Sequence, residues 1–194
     1  MKLYYSPGAC SLADHIALHE AGLTFERVRV DLRAKRTEEG ADYLTINPKG
    51  YVPALTLDSG ETLSENVAIL DWIARQRTAL APTGALGHTH LLEMLAFIST
   101  EIHKSFKPFF QGGSDEEKAK AGDMILKRLS FLAQAMRGDF IFGADVSVAD
   151  PYLFVMLLWA KKNGLDVPEE LTGYRDRMMQ RPSVSLAMSH EGLA

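Results

Sequence analysis

The stretch YYSPGACSLADHIAL, Tyr4–Leu18, carries the chain's single cysteine, Cys10, and passes from a β-prone start through Ser6-Pro7-Gly8 into a helical pattern. KLYY (Lys2–Tyr5) is short and ends at that turn, so it reads as a strand. From Ser11, the apolar residues Leu12, Ile16 and Leu18 set a helix that Gly22 stops. FERVRV (Phe25–Val30) alternates apolar and charged residues, as a half-buried strand does. A charged stretch follows, with a short helix expected near Glu38–Leu44. NPKGYVPAL (Asn47–Leu55) is a loop entering a strand. ALTLD, the Ser59-Gly60 turn and ETL form a hairpin, and SENVAILDWIARQ (Ser64–Gln76) is an amphipathic helix.

The resulting order is β-α-β-α-β-β-α, with a parallel early pair and an antiparallel late hairpin. TALAPTGALG (Thr78–Gly87) breaks the pattern. Beyond it the clear segments are all helical in period: His90–Phe106, Asp115–Met136, Ser147–Gly164 and Pro168–Pro182. The fold class expected is α/β plus all-α, with domains at 1–78 and 89–194 and a linker at 79–88.

With 194 residues, 46% hydrophobic and 24% charged, the composition is globular. A net charge of −4 excludes the basic footprint of a nucleic-acid binder. No apolar run follows a basic N-terminus, so no signal peptide is read. The longest apolar run, Pro151–Ala160, is about half the roughly 20 residues of a membrane span. One cysteine cannot close an internal disulfide, which favours a reducing compartment and a cytoplasmic location.

Cys10 falls where a helix begins. Free N–H groups and the helix dipole favour an anion there, and a thiol so placed has its pKa lowered. The alternative is a small buried hydrophobe. Position 13, where a C-x-x-C motif would hold its second cysteine, is Ala13. A reactive Cys10 can therefore exchange only with an outside thiol, and glutathione is the abundant one in a cytosol.

The Cys10 turn, NPKGYVPAL, SENVAIL, the EIHK helix and GADVSVADPYLF, taken together and in order, resemble a bacterial beta-class glutathione transferase over essentially all 194 residues. The resemblance implies a thioredoxin-like N-terminal half that binds glutathione and an all-helical C-terminal half. It implies that Val52-Pro53 is a cis peptide turning the Val52 backbone toward the tripeptide's cysteinyl unit, with Ala9 and Tyr51 beside it. Glu65 would pair with the γ-glutamyl ammonium. The α-helix N-terminus and the Asn66 side chain would take its carboxylate, although the family usually has a small residue at that place. Lys35 matches a lysine near the glycine carboxylate. His103, with Thr100 and Lys104, lies on a helical face shared with Ala96 and Ser99; the resemblance sets that face over the Cys10 thiol, where His103 would stabilise a thiolate or hydrogen-bond a bound sulfur. The family often has Asn where Ala96 stands, a residue that reaches the partner subunit's glutathione, so that contact is expected to be missing from the homodimer.

Tyr5 and Ser11 are secondary catalytic candidates, because other transferase classes use an N-terminal hydroxyl. Phe106, Phe110 and Trp159 supply aromatic surface, part of it for a pocket holding a small apolar electrophile. Ser147 and Asp150 match a capping box, which places Pro151 fourth in its helix. His15 and His19 are spaced i, i+4, but no third ligand or carboxylate stands out in the sequence, so no metal is expected. The resemblance implies glutathione as the co-substrate. The alternatives are a monothiol disulfide oxidoreductase acting through Cys10, or a non-catalytic ligand carrier on the same fold.

Overall fold

The computed structural model describes residues 1–193. Two compact units result: Met1–Leu80 together with the segment from Arg181, and Ala81–Gln180.

The first unit runs β1 (Lys2–Tyr5), α1 (Ser11–Glu20), β2 (Glu26–Asp31), β3 (Arg36–Thr37), β4 (Ala54–Thr56), β5 (Thr62–Ser64) and α2 (Asn66–Gln76). The sheet order is β3-β2-β1-β4-β5. β1 pairs parallel with β2, Tyr4 opposite Val28, and antiparallel with β4, Leu3 opposite Leu55. β4 and β5 form the expected hairpin. The short helix expected near Glu38–Leu44 is absent. Gly40 adopts a left-handed φ of 85°, which closes a turn after β3 and leaves only a 3-10 turn at Tyr43–Thr45. The Asp42 carboxylate caps that turn, accepting the Leu44 N–H at 3.0 Å.

Strand alternation sorts the core onto two faces. Tyr4, Val28, Val30, Tyr43, Val52 and Ala54 pack on one. Leu3 and Leu55 alternate with these and are also fully buried. Every residue of α1 from Ser11 to Leu18 is buried, each Leu or Ile there contributing about 1.5–3 kcal/mol. That burial has a cause outside the local sequence. Helix α8 (Pro182–Glu191) buries Val184, Ala187, Met188 and Glu191 at helical spacing and packs along α1. The sequence division gave everything after residue 88 to the helical half; the apolar stripe of α8 places its residues in the first unit instead.

In the second unit, α3 (Gly87–Phe97) gives way to a π-helical turn at Ile98–Ile102 and a 3-10 turn at His103–Phe106. Then come α4 (Lys107–Phe110), α5 (Asp115–Ala135), α6 (Ala149–Lys162) and α7 (Glu169–Met179). A capping box opens α5: Ser114 Oγ accepts the Glu117 N–H, and Glu117 accepts the Ser114 N–H. At α6 the expected box is only half formed. Asp150 Oδ2 does accept the Ser147 N–H at 2.7 Å, but the Ser147 hydroxyl donates to that same oxygen. Because α6 starts at Ala149, Pro151 is third in the helix rather than fourth. First-turn N–H groups have no intrahelical acceptor, so the proline removes no bond. None of the described helices is long and apolar enough to cross a membrane.

Candidate functional site

The site in the first unit is built on two helix starts and one loop. Ser6-Pro7-Gly8-Ala9 is a tight turn: the Ala9 N–H donates to Ser6 O at 3.0 Å, with Gly8 at φ 68° in the left-handed place such a turn requires. Ser11 ties the turn down, its hydroxyl accepting the Ser6 N–H at 3.2 Å and facing Ser6 O at 3.4 Å. With its hydroxyl buried in these contacts, Ser11 holds backbone and is not placed for chemistry. Ala9 packs against the sheet. Tyr5 is buried, with its ring against His15; burial raises its pKa, which makes it no ready source of an oxyanion.

Cys10 is the residue from which α1 departs. Its thiol is half-buried, unpaired, and donates to Val52 O at 3.5 Å. The Val52-Pro53 bond is cis, as the resemblance implied. The expected lowering of the thiol pKa is reversed. Burial, and then the Asp14 carboxylate, push it up to about 12, against the Cys10 and Ser11 backbone N–H groups that favour the thiolate. Two backbone amides do not outweigh desolvation reinforced by an acid. At neutral pH, Cys10 presents an S–H donor.

Asp14 went unread in the sequence. It is wholly buried one turn into α1, its Oδ1 has no hydrogen-bond partner among the described residues, and Oδ2 accepts from Asn66 Nδ2 at 3.0 Å. The same Asn66 nitrogen reaches Cys10 O at 2.9 Å. The Asn66 side chain is therefore turned inward, joining α2 to the start of α1. It does not point out for a carboxylate; only its backbone N–H remains for that purpose. Burial, then Glu191, raises Asp14 well above the ordinary carboxylate range. An acid that holds its proton more tightly folded than unfolded stabilises the fold at low pH and gives that up as pH rises past its unfolded value. Asp14→Asn should match the parent near pH 4 and exceed it by about 1–3 kcal/mol at pH 8 in urea unfolding. Its thiol alkylation profile should also move to lower pH, because the charge opposing the thiolate is gone. Equal stability at both pH values would refute this account.

Glu65 is the last residue before α2 and sits at φ 77°, ψ 125°, a strained region for a side-chain-bearing residue. Ser64, where the sequence pattern started the helix, is instead the last residue of β5. Glu65 Oε1 accepts from Lys49 Nζ at 2.6 Å and from the Tyr51 hydroxyl. The Tyr51 carbonyl accepts from Tyr43 Oη and Asn47 Nδ2, which fixes the loop before the cis bond. Lys35, at φ 55°, donates to Gly50 O at 2.6 Å, so its ammonium stands at the rim of the same loop.

The remaining sequence candidates lie in the second unit. The π-helical turn breaks the regular face expected for Ala96, Ser99, Thr100 and His103: the His103 N–H reaches back five residues to Ile98 O. Such turns occur frequently at functional sites. Thr100 Oγ1 donates to Ala96 O at 2.9 Å within its own helix, and Lys104 is exposed. His103 Nδ1 meets Tyr152 Oη at 2.7 Å, and the ring stands edge-on to Trp159. Burial, and then Lys104, lower its pKa to about 4. His103 is thus neutral near pH 7 and offers hydrogen bonding rather than a positive charge. Phe106 is fully buried and Trp159 nearly so, packed edge to face. They form core, whereas Phe110, edge to face with Trp159, remains 50% exposed. The surface depression of about 290 Å³ lined by Phe109, Gly122, Leu126 and Leu165 includes none of the three.

Comparison with known proteins bears on this arrangement. Residues 9–76 match the glutathione S-transferase N-terminal domain and residues 92–182 the glutathione S-transferase C-terminal domain. The chain belongs to the glutathione S-transferase family. A glutathione S-transferase of Escherichia coli O157:H7, GstA, is 44% identical to this transferase over the whole of both chains. A sphingomonad glutathione S-transferase solved with glutathione is 51% identical, with a TM-score of 0.93 over the whole of both chains. The bacterial beta class glutathione S-transferase of Sphingomonas chungbukensis is 48% identical, with a TM-score of 0.92 and the same coverage. The expected beta-class resemblance and the transferase fold therefore stand, and the enzyme is a glutathione transferase.

Proposed function

We propose that glutathione lies along the first unit with its sulfur beside Cys10 Sγ, its cysteinyl backbone on Val52 and its γ-glutamyl ammonium on Glu65. The observation that carries this reading is the grouping of a half-buried S–H donor, the Val52 carbonyl before a cis proline and an acid held at a strained backbone position, all on the rim of one sheet. Cys10 then donates a hydrogen bond to the glutathione thiolate and need not ionise itself. The α2 N-terminus supplies N–H groups for the γ-glutamyl carboxylate, and Lys35 stands for the glycine carboxylate. The electrophile is small and apolar, the enzyme a cytoplasmic homodimer.

The raised thiol pKa weighs against the disulfide-oxidoreductase alternative, since the thiolate is the species that attacks. A carrier without turnover is excluded by conjugation of an activated aryl chloride after retention on immobilised glutathione. The donor role predicts an order among variants. Cys10→Ser keeps an O–H and should retain conjugation within roughly threefold. Cys10→Ala loses one hydrogen bond to a charged group and should fall about tenfold or more. Equal activity of Cys10→Ala and the parent would show that the thiol does not serve the glutathione sulfur.

A further inference from the structure

Near the opposite end of α1 from Cys10, three imidazoles converge. His15 and His19 share one face of α1, and His190 comes from the last turn of α8. One ring nitrogen from each lies within 4.8 Å of the others. Ring centroids are 5.1 Å apart for His15 and His19, 5.6 Å for His15 and His190, and 5.5 Å for His19 and His190. His15 Nε2, His19 Nε2 and His190 Nδ1 are buried and have no hydrogen-bond partner among the described residues. Buried polar atoms are nearly always satisfied. Three orphaned nitrogens in one place point to a group that binds them.

We propose that His15, His19 and His190 form a binding site for a divalent first-row transition metal ion, with Glu191 orienting His15. The chemistry of the set is specific. Imidazole nitrogens suit zinc, copper and nickel and serve magnesium or calcium poorly. Glu191 Oε1 stands 2.9 Å from His15 Nδ1. When ionised, the carboxylate accepts the Nδ1–H, and that tautomer leaves the lone pair of His15 on Nε2. This is the usual carboxylate–histidine arrangement behind a metal. Zinc–nitrogen bonds are about 2.0–2.1 Å, so tetrahedral ligands lie roughly 3.4 Å apart. Side-chain rotations of about an ångström close the observed set. Phe25 packs its edge against His15 and His19 and walls the cluster with apolar surface. His19 and His190 are only half-buried, which leaves a path of entry.

The charged groups facing the cluster are Glu191, in contact, and Arg27, which is exposed and screened by solvent. Three protein ligands leave a fourth position for water or an outside ligand. The ion would pin α8 to α1. Since Glu191 Oε2 also accepts the Gly8 N–H at 2.9 Å, it would brace the turn that carries Cys10.

The test uses the untagged, full-length protein stripped with a chelator. Zn²⁺ is titrated by calorimetry, and Co²⁺ is followed by visible absorption. The expected result is one saturable ion per chain at micromolar or lower concentration, the absorption of a four-coordinate Co²⁺ centre with nitrogen ligands, and a rise in thermal midpoint with Zn²⁺. His190→Gln and His19→Gln should each weaken binding at least a hundredfold while retention on immobilised glutathione is unchanged. That retention control shows that both variants fold and separates this site from the glutathione reading. No saturable binding by the parent, or binding that survives both substitutions and so belongs to other groups such as His88 and His90, overturns the proposal.

Discussion

Asp150→Ala should destabilise the protein by about 3–5 kcal/mol, among the largest losses a single substitution causes. Asp150 is wholly buried at the start of α6. Its Oδ1 accepts the Ile141 N–H and the Tyr174 hydroxyl, each at 3.0 Å. Its Oδ2 accepts the N–H and hydroxyl of Ser147, each at 2.7 Å. One carboxylate thus joins the loop before α6, the helix itself and α7. Alanine removes four acceptor contacts at once and leaves donors stranded in a dry interior, where each costs about 1–3 kcal/mol before relaxation. For a chain of this length, that corresponds to a fall of roughly 6–20 °C in thermal midpoint, read by calorimetry. Ser147→Ala should cost about 1 kcal/mol alone and almost nothing on top of Asp150→Ala, because its partner is already gone. A loss under 1 kcal/mol for Asp150→Ala, or additive effects of the pair, would mean that the network does not hold this unit.

The same residues mark what the sequence could tell. The Ser147-to-Asp150 spacing is a local signal, and half of its predicted geometry formed. Likewise the Pro7-Gly8 turn, the hairpin at Ser59-Gly60 and the alternation of Val28 and Val30 depend on neighbours a few residues away, so they were legible. What failed depends on groups distant in the chain. The thiol pKa of Cys10 turns on burial and on Asp14, which looks like an ordinary first-turn acid in a string of letters. Asn66 points inward because Asp14 and Cys10 O offer it acceptors. The α8 stripe is short and ends in the acid Glu191, and nothing local says which unit it covers, so its place on α1 was missed. With it were missed Glu191, 176 residues beyond the His15 it pairs with, and His190, 171 residues beyond His19. The π-helical turn at Ile98–Ile102 has no sequence rule that distinguishes it from regular helix.

Glu65→Gln should weaken glutathione binding by roughly 30- to 150-fold, about 2–3 kcal/mol, as removing the charged partner of an ammonium does. The Glu65 carboxylate is held by Lys49 and Tyr51. Both members of the Lys49 pair are about half exposed, and such pairs contribute at most about 1 kcal/mol. An arriving ammonium therefore displaces Lys49 at little cost. The strained φ of 77° argues in the same direction. Strain of this kind costs about 1–3 kcal/mol and persists where a side chain must be aimed at something. Two substitutions separate aim from strain. Glu65→Gln keeps the backbone problem and loses the charge, so stability should hold while affinity falls. Glu65→Gly removes both, so the fold should gain about 1 kcal/mol in urea unfolding while calorimetry finds binding at least as weak as in Glu65→Gln. The parent's binding should also weaken as salt rises, and the Glu65→Gln binding much less so. Glu65→Gln within threefold of the parent, with an unchanged salt slope, would place the ammonium elsewhere and take the γ-glutamyl end of the site with it.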